Sequence, residues 1–257
     1  MSSSASTPTH HESELNGTRV LVTGATSGLG AAMAAALVEA GARVTVTGRD
    51  QARAEATAQE LGSSVVPCQL DVRDEGSVAA CVARAVETWG GIDMLVNNAG
   101  IGMRTVNPRF LSEPLPFWEV MPAGFRDVVE TKVVGCFLMA REVVPPMLRQ
   151  GGGRIVNISM NEQTMVRRGF VPYGPAGAGV EALSRVMAAD LAGSPVTVNI
   201  LLPGGRGTRT GMVPDDAPAD VRARLLDPAV MGPPIVWLAS DQAAGVHDRR
   251  IVANEFP

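Results

Sequence analysis

The chain is predicted to fold as a single-domain α/β protein, a doubly wound parallel sheet of seven strands. Three observations predict this. Short β-branched runs alternate with longer alanine-rich segments of helical period, the pattern of repeated strand–helix units on a parallel sheet. A glycine-rich turn stands where the first strand candidate hands over to the first helix. A length of 257 residues with 46% hydrophobic and 19% charged content is enough to bury one substantial core.

The strand candidates in order are Arg19 to Thr23, Arg43 to Thr47, Ser64 to Gln69, Met94 to Asn97, Arg154 to Ser159, Val196 to Leu202 and Arg250 to Val252. Helical periodicity places helices at about Gly28 to Ala40, Gln51 to Leu61, Glu75 to Trp89, Phe125 to Gln150, Pro175 to Ala192 and Pro228 to Ala239. No internal repeat or second domain interrupts this alternation. Two longer irregular stretches, Ile101 to Gly124 and Gly204 to Asp227, follow strand ends. Ligands of open α/β sheets bind outside the carboxyl ends of the strands, so these stretches are the expected substrate walls.

Composition narrows the function classes. Acidic residues number 26 against 22 basic ones, with no basic block to track a phosphate backbone, which argues against nucleic acid as a partner. Cys68, Cys81 and Cys136 are odd in number and widely spaced, which suits reduced thiols rather than a disulfide framework or zinc site. No run approaches the roughly 18 apolar residues of a membrane helix, and the N-terminus lacks the features of a secretion signal. A cytoplasmic protein that does not engage the membrane is the expectation. Residues 1–16, rich in Ser, Thr and His, are expected to form a disordered tail ahead of a domain spanning 17–257. His10 and His11 lack a second ligand cluster, and no metal site is expected.

The first strand–helix turn reads TGATSGLG, with Gly24, Gly28 and Gly30 at the bend and Ser27 and Leu29 between them. Glycines allow a tight turn and let backbone N–H groups approach a pyrophosphate at the positive helix end. Further on come LDV at Leu70 to Val72, NNAG at Asn97 to Gly100, and LLPGGRGT ending at Thr208, each after a strand candidate. In this order and spacing, across residues 18–254, the motifs resemble the short-chain dehydrogenases/reductases, a Rossmann-fold family. The resemblance implies that Asp71 and Val72 meet the adenine, that Asn98, Ala99 and Gly100 line the cofactor cleft, and that Thr208 reaches the nicotinamide carboxamide. The second strand ends VTVTGRD, placing Arg49 where an NAD-preferring relative carries a carboxylate for the ribose 2′-OH. A guanidinium suits a 2′-phosphate, so NADP(H) is the expected cofactor.

The same resemblance calls for a tyrosine acid/base, a lysine four residues later, a serine thirteen residues earlier and an asparagine in the preceding long helix. Tyr173, the sole tyrosine, fits the first role. Gly177 stands at the lysine position, Met160 at the serine position and Lys132 at the asparagine position. An ammonium about 5 Å from a phenolate, at an effective dielectric near 20, contributes roughly 3 kcal/mol and lowers the phenol pKa by about two. Without it Tyr173 is expected to stay near about 10. Two compensations are open: Lys132 reaching toward Tyr173 on its flexible stem, and Ser159 presenting its hydroxyl in place of Met160. The alternatives are a Lys132 paired with Glu130 or Asp127, and a Ser159 projecting from the opposite strand face.

Three functional readings follow. One is an atypical NADP(H)-dependent oxidoreductase acting on a small-molecule carbonyl, iminium or conjugated substrate. Another is a non-redox enzyme on the same scaffold, an isomerase, cyclase, lyase or dehydratase. The third is a non-catalytic dinucleotide-binding regulator. In each, apolar residues in excess of one core-facing stripe on the helices of Cys136 to Met147 and Val180 to Leu191 point to a homodimer or homotetramer.

Overall fold

The computed structural model describes residues 14–205 and 207–257. In chain order it comprises β1 (Arg19–Val22), α1 (Gly28–Glu39), β2 (Arg43–Gly48), α2 (Gln51–Leu61), β3 (Val65–Gln69), α3 (Glu75–Trp89), β4 (Met94–Asn97) and α4 (Pro122–Val129). A π-helical turn (Glu130–Val134) leads from α4 into α5 (Gly135–Gln150). There follow β5 (Gly153–Ile158), α6 (Glu162–Met165), α7 (Tyr173–Asp190), β6 (Val196–Leu202), α8 (Ala219–Arg222), α9 (Gly232–Ala239) and β7 (Arg250–Val252).

The seven strands form one parallel sheet in the order β3-β2-β1-β4-β5-β6-β7. Each central strand is a run such as Met94 to Val96 or Ile155 to Val156 with side chains buried on both faces, as helices on either side require. One apolar layer joins the sheet to Met33 and Leu37 of α1 and to Ile235 and Leu238 of α9. The opposite layer joins it to Val78 and Cys81 of α3, Met139 and Val143 of α5, and Ala188 of α7. Full burial of such a side chain stabilises the fold by about 1.5–3 kcal/mol. The strand order reverses between β1 and β4, and there the two outward-running crossovers leave a crevice above the carboxyl ends.

The expected domain start at residue 17 is corrected by Leu15, which is buried at 1% exposure and donates its amide to the Ala40 carbonyl. The remainder of the expected tail, with His10 and His11, lies outside the described residues. Among the described residues no cluster of metal-ligating side chains occurs, and no helix is long and apolar enough to cross a membrane. The helix expected from Phe125 begins at Pro122, whose fixed φ suits a first helical position, and is interrupted by the π turn. The helix expected from Pro175 begins at Tyr173 itself.

Candidate active site

The crevice is built first from the β1–α1 turn. Gly24 and Gly28 have φ of 64° and 58°, a region that L side chains avoid. A Cβ on Gly30 would stand 2.5 Å from Asn98 Nδ2 and closer still to the Gly24 carbonyl oxygen, so only a bare α-carbon fits. Ser27 is extended and makes no side-chain capping bond, leaving the first-turn N–H groups of α1 to an outside acceptor. Leu29, by contrast, packs on the core and anchors the turn.

The turn is held against the end of β4 by two side chains. Asn98 Nδ2 donates to the carbonyls of Thr23 and Gly24 at 2.9 and 3.0 Å. Thr23 Oγ1 accepts from the amides of Asn98 and Ala99, both at 2.9 Å. Asn98 therefore shapes the crevice rather than facing it, and Thr23 is a site-building residue the sequence reading passed over. Its place directly before Gly24 was the available signal.

At the β2 and β3 ends, Asp50 caps α2 by accepting from the Arg53 amide, which leaves the adjacent Arg49 exposed and without an ion pair among the described residues. The Arg73 guanidinium bonded to Asp71 at 2.7 Å holds that carboxyl below the usual carboxylate range. Val72 is buried and packs where a Cβ on Gly135 would otherwise lie, so α5 closes onto the end of β3. Glycine cradle, bare helix N-terminus and free guanidinium together fit a dinucleotide. Gly24, Ser27, Gly28 and Gly30 would hold its pyrophosphate, Asp71 and Val72 its adenine side, and Arg49 a ribose phosphate.

Beneath the reacting end lies a buried polar network. Asn97 Nδ2 donates to Asn157 Oδ1 at 2.9 Å, and Asn157 Nδ2 to Ser184 Oγ at 2.8 Å. Ser184 Oγ in turn donates to the Val180 carbonyl at 2.6 Å. It ties β4, β5 and α7 together, and fully satisfied buried networks of this kind rigidify what rests on them.

On this base sit the residues singled out for chemistry. Lys132, carried by the π turn, runs in a slot walled by Thr23, Val72, Ala99 and Ile158, with its Nζ 5.1 Å from the centroid of the Tyr173 ring. The pairing with Glu130 or Asp127 is not made; Asp127 faces Arg73 at 3.7 Å instead. Desolvation pushes the Lys132 ammonium down to about 8. The Tyr173 hydroxyl points at Met212 Sδ, 3.8 Å away, and its ring packs on the small cluster of Met103, Phe110 and Phe170. Burial pushes its pKa up, which corrects the expectation of an unshifted phenol: removing water from a phenolate outweighs a cation lying over the ring face.

Ser159 is not brought into the site. Its hydroxyl donates to Glu181 Oε1 at 2.7 Å, where Arg250 also binds, because alternation along β5 turns it to the far side from Met160. Met160 faces α7: a Cβ on Gly177 would stand 2.6 Å from its Cε and 2.9 Å from its Sδ. The thioether thus fills the space a side chain at 177 would use. That complementarity was invisible from two positions far apart in sequence.

The long segment after β6 covers the crevice. Thr208 is buried and pairs with Leu226. A cavity of about 480 Å³ lies between Gly28 and residues Arg209 to Asp215. Arg104, from the segment after β4, bonds the Gly211 carbonyl at 2.9 Å and Asp215 at 3.5 Å, joining the two irregular stretches over the site.

Fold and crevice define a dinucleotide-binding α/β protein with a tyrosine at the mouth of its cleft. Residues 18–219 match the family model described as short chain dehydrogenase. The chain is 32% identical over 246 residues to the 3-oxoacyl-(acyl-carrier-protein) reductase FabG of Vibrio harveyi, covering 93% of this chain and 97% of the relative. It is 36% identical over 241 residues to cis-4-hydroxycyclohexanecarboxylate dehydrogenase of Sinomonas cyclohexanicum, covering 88% and 90%. To the NADP-dependent 3-hydroxy acid dehydrogenase YdfG of Salmonella typhi it is 35% identical over 187 residues, covering 72% and 71%. The 3-ketoacyl-(acyl-carrier-protein) reductase of Brucella melitensis complexed with NADH superposes with a TM-score of 0.82 at 29% identity, covering 93% and 97%. The chain belongs to the short-chain dehydrogenase family and is an enzyme of that oxidoreductase family.

Proposed function

We propose that the protein is an NADP(H)-dependent carbonyl reductase of small molecules, working without the serine and lysine that the family pattern places beside the tyrosine. The observation that carries this reading is the intact crevice: the cradle at Gly24, Gly28 and Gly30, with Asn98, Ala99 and Gly100 behind it, suits a dinucleotide, and Lys132 Nζ lies beside Gly100 and 5.1 Å from the centroid of the Tyr173 ring, the pair that in this reading meets the reacting end. Relatives named for 3-oxoacyl reduction and hydroxy-acid oxidation support a substrate that exchanges a carbonyl for a hydroxyl.

The bound cofactor supplies or accepts hydride at the substrate carbon. The protein's part is to orient the carbonyl, exclude water and manage one proton. Tyr173, protonated and half-buried beside Met212, donates a hydrogen bond to the substrate oxygen. Met160 and Gly177 bring no polar side chain to the positions where the family pattern has serine and lysine, so the substrate carbonyl meets no hydrogen-bond donor from either. In this reading Thr208 meets the carboxamide end of the cofactor.

Arg49 makes the cofactor choice testable. Fluorescence titration is expected to give NADPH a dissociation constant at least about tenfold below that of NADH, the worth of a charge-assisted phosphate contact. Arg49→Asp is expected to reverse the order. Equal affinities unaffected by that substitution would remove NADP(H) from the reading.

The partner we propose besides the substrate is a second copy of the chain. Phe117, Trp118 and Met121 ahead of and entering α4 are about 70% exposed, and Phe137 of α5 and Val186 of α7 are about half exposed. Large apolar side chains left exposed to this extent mark an interface, and a homodimer or homotetramer covers them. Sedimentation at micromolar concentration is expected to show the oligomer; a monomer only would remove it.

A further inference from the structure

We propose that Lys132, not Tyr173, is the proton donor to the substrate oxygen, with the tyrosine reduced to a hydrogen bond that positions the carbonyl. This rests on the carbonyl-reductase reading above and assigns its proton.

Four observations converge on Lys132. It is the only lysine in the chain, one among 22 basic side chains. Everywhere else a positive charge is wanted, this protein uses arginine, whose guanidinium does not release a proton in proteins; an amine does so readily when desolvated. It is carried by the single π turn among the described residues, a distortion that concentrates at functional sites. Its side chain lies between the substrate-side end of β4, with Nζ 3.4 Å from where a Cβ on Gly100 would be, and the Tyr173 ring.

The fourth observation is the absence of an anion. Among the described residues Lys132 has no carboxylate within ion-pair distance. On its own turn Glu130 is exposed to water, Asp127 of α4 is turned to Arg73, and Asp71 beyond β3 is bound to Arg73. The α5 side presents only the Cys136 thiol, which burial pushes up to about 12 and which is therefore neutral. The α7 side presents Tyr173, and β4 and β5 present Asn97 and Ile158. An ammonium so placed is poised to give up its proton near neutral pH, whereas the phenol, facing only a sulfur, holds its own proton into the alkaline range.

In the reducing direction the step balances simply. As the carbonyl carbon receives hydride from the reduced nicotinamide dinucleotide, an Nζ–H bond breaks and an O–H bond forms on the substrate oxygen. The electron pair stays on the amine, and solvent reprotonates it before the next turnover. Oxidation of the alcohol is the reverse, with the neutral amine taking the hydroxyl proton.

One lysine and one tyrosine make both groups separately visible. Labelling with ε-¹⁵N-lysine gives a single side-chain resonance, expected to titrate near 8, while the ultraviolet phenolate signal of Tyr173 is expected above about 10. Turnover is then followed with NADPH and a panel of an acetoacetyl thioester, a cyclic ketone and an aryl aldehyde. Lys132→Arg keeps the charge but cannot deliver the proton, so it and Lys132→Met are both expected to lose about 10²–10⁴-fold in kcat, with NADPH affinity unchanged. Tyr173→Phe is expected to act mainly on KM and to keep the pH midpoint of the wild-type rate.

A lysine midpoint above about 10, a rate restored by arginine, or a dead Tyr173→Phe beside an active Lys132→Met would each overturn the assignment while leaving the reductase reading intact. No reduction of any panel member by the wild type would instead remove that reading, and the donor role with it.

Discussion

Placing a lysine at position 177 alone is expected to destabilise the protein by about 1–3 kcal/mol, the cost of forcing side-chain atoms into a filled core. The reason is Met160, buried at 7% exposure, whose thioether occupies the volume over Gly177. Its methyl must leave before a Cβ can enter, and the Cβ would still stand 3.2 Å from Met160 Cγ. Met160→Ser alone opens a void instead and is expected to cost about 2 kcal/mol, toward the lower end for losing a buried methionine side chain. Combined, the two substitutions relieve each other. Urea denaturation is expected to show the double variant at least about 1 kcal/mol more stable than the sum of the singles predicts. The double variant also sets an ammonium and a hydroxyl beside the phenol, and its ultraviolet titration is expected to move down by about two pKa units from the starting protein. Additive stabilities would show that the two positions do not share one space.

The second large effect is expected at Gly30. Gly30→Ala puts a methyl 2.5 Å from Asn98 Nδ2 and closer to the Gly24 carbonyl. Neither neighbour is free to yield: Asn98 is held by two bonds to backbone carbonyls, and Gly24 sits at a φ fixed by the turn. The turn must therefore part from β4, which separates the pyrophosphate cradle from the strand that supports it. NADPH affinity is expected to fall by about a hundredfold or more, equivalent to roughly 3 kcal/mol, with a stability loss of about 1–3 kcal/mol. Affinity within about threefold of the starting protein, a difference under roughly 1 kcal/mol, would mean that the cradle is not where the cofactor binds.

The sheet was legible because each strand is a short β-branched run between polar or glycine punctuation, and the expected and observed strands differ only at their ends, as at Thr23 and Ser159. The glycine cradle was legible for the same reason, since its spacing is local. What escaped the sequence depends on contacts between distant segments. Strand alternation already offered the opposite-face projection of Ser159 but not its partners, Glu181 and Arg250, which lie 22 and 91 positions later in the chain. The Tyr173 phenol shifts upward because Met212, Phe110 and Phe170 exclude water from it, and none of these is near it in the motif. The π turn left no mark on the hydrophobic period, because Val128 and the buried face of α5 flank it with near-helical spacing.

That turn has one further consequence. A π turn holds an extra residue in the coil, and each residue of an α-helix advances the face by about 100°. The residues before Glu130 are thereby rotated out of phase with those after Val134. The exposed Phe125 of α4 and the buried stripe of α5 can thus face different directions on what is otherwise one rod, with Lys132 at the point where the two phases meet. Excising a single residue there would bring both segments into one phase. The lysine, Phe125 and the core stripe would then compete for the same side of the helix.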